Sequence, residues 1–187
     1  MSLIVRPSAE ADVAALAAIY RHAVLHGTSS WEFEPPDEAE MGRRRAAILA
    51  GGYPHLVAER DGVVLGYAYA SAYRPRPAYR ATVENSIYVA KEAQGEGVGR
   101  ALLQALMVEC EARGLRQMVA VIGDGNGSGP GSGAASRRLH EALGFSHAGL
   151  VRAIGFKHGR WLDQMLMQAA LGEGDLAPLP DGPLTAG

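Results

Sequence analysis

Gln94-Gly95-Glu96-Gly97-Val98-Gly99-Arg100 carries the strongest structural signal in this chain. Before it lies Thr82-Val83-Glu84-Asn85-Ser86-Ile87-Tyr88-Val89, a strand-like run, and from Val98 to Arg113 the apolar residues recur at helical spacing. A strand, a glycine turn and a helix N-terminus together form a cradle for a diphosphate. Glycines let the backbone come close to the ligand, and the first N–H groups of the helix, which have no helical acceptor, point at its oxygens.

Three diphosphate readings compete. A P-loop ends in Gly-Lys-Ser/Thr, whereas this chain has Gly99-Arg100-Ala101. A dinucleotide fingerprint needs Gly-x-Gly-x-x-Gly near the first strand, whereas the glycines here run Gly-x-Gly-x-Gly in mid-chain. The third is a coenzyme A site, and Gln94, Gly97 and Gly99 fit Gln-x-x-Gly-x-Gly. In this the chain resembles the GNAT acyltransferases, whose acetyl-CoA signature has that form. The resemblance implies cofactor contacts from Ile87, Tyr88 and Val89 and from Gln94, Gly95, Glu96, Gly97, Val98, Gly99 and Arg100.

Working outward, 187 residues with 48% apolar and 20% charged residues make one globular domain with a sizeable core. A formal net charge of −2 and no long basic run argue against nucleic acid as a partner; Arg43-Arg44-Arg45 reads as a solvated helix face. No apolar run is long enough to cross a bilayer and the N-terminus lacks a signal peptide's apolar segment, so no membrane role is expected. The single cysteine, Cys110, shares a helix face with Leu102 and Leu106, so it reads as a buried small hydrophobe. A reducing cytoplasm is the expected compartment. No His, Cys or carboxylate set has metal-ligand spacing, so no metal is expected.

The elements follow from periodicity and punctuation. Leu3 to Arg6 is a strand; Ser8 caps a helix from Ala9 to Leu25; Asp37 caps a second helix ending near Gly51-Gly52. Asp61-Gly62 joins two strands, Leu56–Arg60 and Val63–Ala72, as a hairpin, and Arg74-Pro75-Arg76-Pro77 ends the second. Gln117–Ile122 is a strand, Gly123–Gly133 a flexible glycine-rich loop, and Ala134–Leu143 a helix stopped at Gly144. Phe145–Ala153 and Lys157–Gln168 are the last strands. The order β-α-α-β-β-β-α-β-α-β-β predicts an α/β mixed sheet covered by helices over residues 1–170, with a disordered Gly- and Pro-rich tail over 171–187.

That order also resembles the GNAT acyl-CoA N-acyltransferase fold. Thr82–Val89, Val119–Gly123, Leu139-His140-Glu141-Ala142-Leu143-Gly144-Phe145 and Gly155-Phe156-Lys157-His158-Gly159-Arg160-Trp161 together resemble one branch of it, the phosphinothricin and methionine sulfoximine (sulfone) N-acetyltransferases. The resemblance implies an acetyl-CoA-dependent N-acetyltransferase acting on the α-amine of a small amino-acid-like molecule, working as a homodimer. Two other functions stay open: an acetyltransferase for protein N-termini, and a non-catalytic coenzyme A sensor.

Acetyl transfer to an amine needs a polarised thioester carbonyl and a proton acceptor, with no enzyme-bound acyl group. Strand alternation puts Glu84, Ser86 and Tyr88 on one face, and a carboxylate in an otherwise uncharged strand calls for a partner or a function. Glu84 is therefore the candidate base, the role the resemblance also implies. Four residues of strand span roughly 13 Å, so it can reach an amine beside Tyr88 or Val89 through water. His140 is a second candidate for proton transfer. The backbone N–H that polarises the acetyl carbonyl is that of Tyr88 or Val89, by resemblance. Arg74 and Arg76, stiffened by Pro75, suit a carboxylate grip. The resemblance adds Trp31 and Glu32 in a substrate-side loop, with tryptophan where the family usually has phenylalanine, and Lys157 in a hairpin reaching towards a partner subunit. The family's coenzyme A-contacting asparagine falls at Gly133 by simple count, or at Asn126 if 127–134 is an insertion.

Overall fold

The computed structural model describes residues 2–124, 127, 132–182 and 184. Its elements are β1 (Ile4–Pro7), α1 (Val13–His26), α2 (Glu38–Ala50), β2 (His55–Arg60), β3 (Val63–Ala72), β4 (Thr82–Val89), α3 (Val98–Ala112), β5 (Gln117–Gly123), α4 (Ala134–Glu141), β6 (Ser146–Lys157) and β7 (Arg160–Ala170). The predicted order and the α/β mixed sheet are both found. Seven strands lie in the order β1-β2-β3-β4-β5-β7-β6, antiparallel throughout except for β4 and β5, which run parallel.

Helices cover both faces of the sheet. On one face α3 buries Leu102, Leu103, Leu106 and Cys110 against Ala68, Val83, Met118 and Ala120. Burial pushes the Cys110 thiol up to about 12, so it stays protonated and packs as a hydrophobe. On the other face Leu16, Ile19, Tyr20 and Val24 of α1 and Met41 of α2 pack on Val57 and Tyr67. Along β4, Val83, Ile87 and Val89 join the α3 side and Tyr88 the α1/α2 side. Glu84 and Ser86 therefore share the α1/α2 face, and Asn85 faces α3 and α4.

Local chemistry explains most boundaries. Asp37 caps α2, accepting the Glu40 N–H at 2.7 Å. Asp61 and Gly62 take left-handed conformations, φ 55° and 77°, as a two-residue hairpin requires. The N-terminal cap is a correction. Ser8 does not cap the first helix, because Arg45 donates to its hydroxyl at 2.7 Å. Asp12 instead accepts the Ala9 N–H at 2.7 Å, and a short 3-10 turn, Glu10–Asp12, precedes α1. The final hairpin also differs. Its turn is His158-Gly159, φ 50° and 74°, and the expected break near Ala153 is a bulge inside β6, where Ala153 (φ 49°) donates its N–H to Asp163.

Past Leu171 the described residues form neither helix nor strand. They nonetheless touch the domain. Leu171 is buried, Glu173 pairs with Arg116 at 2.9 Å, Arg80 donates to the Pro180 carbonyl, and Leu184 packs on the core.

Candidate active site

Parallel pairing of β4 with β5 lasts four residues. Thr82, Val83, Glu84 and Asn85 pair with Gln117, Met118, Val119 and Ala120, and then the strands part. β5 continues against β7, and β4 against β3. The sheet is forked at Asn85, and the β5-facing edge of Ser86–Val89 is left to an incoming extended chain.

The register fixes which amides face that fork. Ala90 donates to the Leu65 carbonyl, Ala70 to the Pro54 carbonyl and Tyr73 to the Thr82 carbonyl. Alternation along an antiparallel ladder then turns the N–H groups of Ser86 and Tyr88 towards β3, and those of Ile87 and Val89 towards the fork. Of the two amides expected to polarise a carbonyl, Tyr88's is turned to β3 and Val89's is not.

The glycine turn lies at the open end of β4. Gly95 and Gly97 are both left-handed at φ 84°, and a Cβ on either would meet open space. Their role is conformational. Gly97 is the N-cap of α3 and supplies no side chain to it. The first helical bond runs from Ala101 N–H to Gly97 O at 3.0 Å, so the N–H groups of Val98, Gly99 and Arg100 precede the helical ladder. Gly99 serves packing instead. A Cβ there would sit 3.3 Å from Leu139 and 3.6 Å from Val89, so its absence lets α3 lie close to α4 and β4. Gln94 donates back to the Val89 carbonyl at 3.4 Å, and Glu96 pairs with Arg60 at 2.8 Å. A ligand with a diphosphate at one end and an amide-bearing arm fits this surface, diphosphate on the helix N-terminus and arm along the fork.

Beside the fork is a cavity of about 260 Å³ whose walls include Trp31, Glu84, Ser86, Tyr88, Gly133 and His140. The structure thus brings both expected proton-transfer residues to one space, from opposite faces of β4. Burial pushes the Glu84 carboxyl above the usual carboxylate range, while the Arg74 guanidinium pulls it down. Arg74 and Arg76 line a neighbouring cleft of about 400 Å³ with Tyr73, Pro75 and Tyr79. Arg74 lies over the Tyr73 ring, 5.2 Å from its centroid.

Trp31 closes the cavity. Its indole N–H donates to the Thr28 carbonyl at 3.1 Å, and a Cβ on Gly123 or Gly155 would overlap the ring. Glu32 turns the other way, accepting from Tyr20 at 2.9 Å and from Arg44 at 2.6 Å, and so ties the loop to α1 and α2. Lys157 points inward. It is buried, and its ammonium donates to the carbonyls of Val24, Gly27 and Ser30 at 2.8, 3.1 and 2.5 Å. Those three bonds occupy its three protons, so it clamps the loop that bears Trp31 and has none left for a ligand or a partner.

Gly133 caps α4 and donates its N–H to the Asp124 carbonyl at 3.1 Å; Asn126 lies outside the described residues. Asp124 (φ 54°) accepts from Arg160 at 2.6 Å, which fixes the end of β5 to the last hairpin. Asn85, assigned no role from sequence, bonds His140; its signal is an amide on the face that carries Val83 and Ile87. No described helix is long and apolar enough to cross a membrane, and no group of metal-ligating residues is found among the described residues.

Residues 16–145 match the model of the acetyltransferase (GNAT) family. The chain belongs to that family. It is 50% identical over 171 residues to a phosphinothricin N-acetyltransferase of Alcaligenes faecalis, covering 91% of this chain and 84% of the relative. It is 41% identical over 179 residues to an L-methionine sulfoximine/L-methionine sulfone acetyltransferase of Pseudomonas aeruginosa, covering 95% and 100%. A crystal structure of a GNAT superfamily phosphinothricin acetyltransferase from Sinorhizobium meliloti in complex with AcCoA superposes with a TM-score of 0.91 at 47% identity, covering 100% of this chain and 97% of that one.

The glycine turn can be tested by charge. Gly97→Asp places a carboxylate where a diphosphate would lie, at the positive end of α3. Gly97→Asn has nearly the same shape and tolerates the left-handed backbone about as well. The expected result by calorimetry is loss of acetyl-CoA binding in the Asp variant and retention of most of it in the Asn variant. Equal affinities in two folded variants would move the diphosphate elsewhere.

Proposed function

We propose that this acetyltransferase moves the acetyl group of acetyl-CoA to the α-amine of a small amino-acid-like acceptor of the phosphinothricin, methionine sulfoximine or methionine sulfone class. The observation that carries the reading is the fork, with Glu84 on one side of it and a glycine turn at its open end. Acetyl-CoA, when bound, supplies the acetyl group as a thioester. Val98, Gly99 and Arg100 N–H groups would hold its diphosphate, and Ile87 and Val89 its arm. The Val89 N–H, turned to the fork, is the donor for the thioester carbonyl.

Glu84 takes the proton of the acceptor amine. A free α-amine has a reference pKa of about 7.7–8.0, so a carboxylate raised by burial is a competent base near neutrality. Arg74 and Arg76 grip the acceptor's carboxylate, and Arg74 also favours the ionised form of Glu84 against its burial. Trp31 bounds the space for the acceptor side chain. Support for this acceptor class comes from the arginine-lined cleft next to the base and from the names of the relatives.

We also assign the working form as a homodimer. β6 is an edge strand, and its hairpin with β7 exposes Val151, Ile154, Phe156 and Trp161; Phe156 and Trp161 pack edge to face at 5.4 Å between centroids. Sedimentation should give twice the chain mass, and Trp161→Glu should halve it; a monomeric wild type rejects the assignment. A single buried thiol suits the reducing cytoplasm, which cell fractionation checks.

The function is tested by thiol release from acetyl-CoA across free amino acids, the three named acceptors and short peptides. Turnover is expected with the small acceptors, and turnover with peptides alone contradicts the reading. With the best acceptor, Glu84→Gln should lower kcat by about 10²-fold or more at neutral pH, partly recovered towards pH 9. Its melting temperature should match or exceed wild type: a raised folded pKa means the ionised form opposes folding above the unfolded pKa, and the amide lacks that charge. Arg74→Ala should raise the acceptor KM roughly tenfold to a hundredfold. It should also move the acid limb of the rate profile to higher pH, because Glu84 loses a cation that favours its charged form.

A further inference from the structure

His140 is 3% exposed, and both of its ring nitrogens are occupied. Nδ1 lies 2.7 Å from the Ser136 carbonyl oxygen. A carbonyl only accepts, so Nδ1 carries a proton. Nε2 lies 3.1 Å from the Asn85 side-chain amide. The nitrogen of that amide is directed at the Val119 carbonyl at 3.3 Å, which leaves its oxygen facing the ring. In this arrangement Nε2 would have to donate as well, which makes the ring a cation, the form that burial disfavours. Turning the amide round makes Nε2 accept from Asn85 and deprives Val119 of its donor. In both arrangements the ring offers no lone pair to an acceptor amine.

The position of the pair gives it a structural role. Asn85 is the last β4 residue paired with β5, opposite Ala120. Its side chain bonds β5 through Val119 and α4 through His140, so three elements meet at the apex of the fork. Phe145 packs edge-on against the imidazole, 4.8 Å between centroids. The groups meeting the ring, Asn85 on β4, Ser136 on α4 and Phe145 after it, are all uncharged. Glu84 projects from the opposite face of β4.

We propose that Asn85 is a positioning residue: it holds His140 across the β4–β5 fork with both ring nitrogens engaged, so that His140 braces the fork for the acetyl-CoA arm and takes no proton from the acceptor. The inference rests on the reading of Glu84 as base, and the two fail differently. A Glu84→Gln enzyme with wild-type kcat removes the base and leaves the brace untouched; the ring of His140 tests the brace itself.

The test uses long-range ¹H–¹⁵N spectra of the histidine rings in the full-length wild-type protein from pH 5 to 9, with His140 assigned by its through-space contacts to Phe145 and Ser136. Nδ1 of His140 should stay protonated throughout, with no titration step at the midpoint of the acid limb of kcat/KM. A His140 shift that titrates with that limb overturns the proposal. Kinetics give a second readout. Asn85→Ala should raise the acetyl-CoA KM about tenfold and His140→Gln by less, and both should keep the acid limb. Loss of the limb in His140→Gln, with the acetyl-CoA KM unchanged, overturns it too. The spectra of the wild type decide the matter if either variant fails to fold.

Discussion

Parallel pairing that stops after four residues is the constraint on which the site depends. Were β5 to follow β4 to Val89, the N–H groups of Ile87 and Val89 would be spent on the sheet. Because the strands part at Asn85, these amides face a gap, and the gap leads to the N-terminus of α3. A sheet edge inside a domain is ordinarily a liability. Here it is short, flanked by helices and closed at its apex by Asn85 and His140, which suits it to the proposed binding of the acetyl-CoA arm.

Strand alternation then divides the labour. The face of β4 that carries Val83, Ile87 and Val89 packs on α3, and the face that carries Glu84, Ser86 and Tyr88 looks to α1 and α2. Glu84 is half-buried there, which opposes its ionisation, and Arg74 offsets part of that cost. Such a carboxylate contributes little to folding; its environment suits a proton acceptor. The loop that bears Trp31 is held from below by Lys157, an ammonium whose own desolvation is offset by three carbonyls.

Much of this is legible in the sequence, for local reasons. The limits of β4, the Asp61-Gly62 hairpin, the Asp37 cap and the glycine turn are set by residues within a few positions of one another. What is not legible depends on distant neighbours. Ser8 resembles a cap until Arg45, 37 positions away, takes its hydroxyl. Lys157 reads as a group for a ligand or partner, but it is satisfied 127 to 133 positions away. Gly99 reads as one more phosphate glycine, yet it is needed because Leu139 packs beside it. Tyr88 and Val89 are equal candidates until the register with β3 sets the direction of each amide. His140 draws attention through a motif; its tie to Asn85 needs the fold.

In the proposed binding mode the edge of β4 beyond Asn85 receives the acetyl-CoA arm through the amides of Ile87 and Val89. Residue-resolved amide hydrogen exchange, with and without saturating acetyl-CoA, tests it most directly. Ile87 and Val89 should exchange readily in the free protein and gain strong protection with acetyl-CoA, while Tyr88, already bonded to β3, should change least of the three. Protection confined to Val98–Arg100, with Ile87 and Val89 unmoved, would contradict the account: the diphosphate would be bound and the fork would not be where the arm lies.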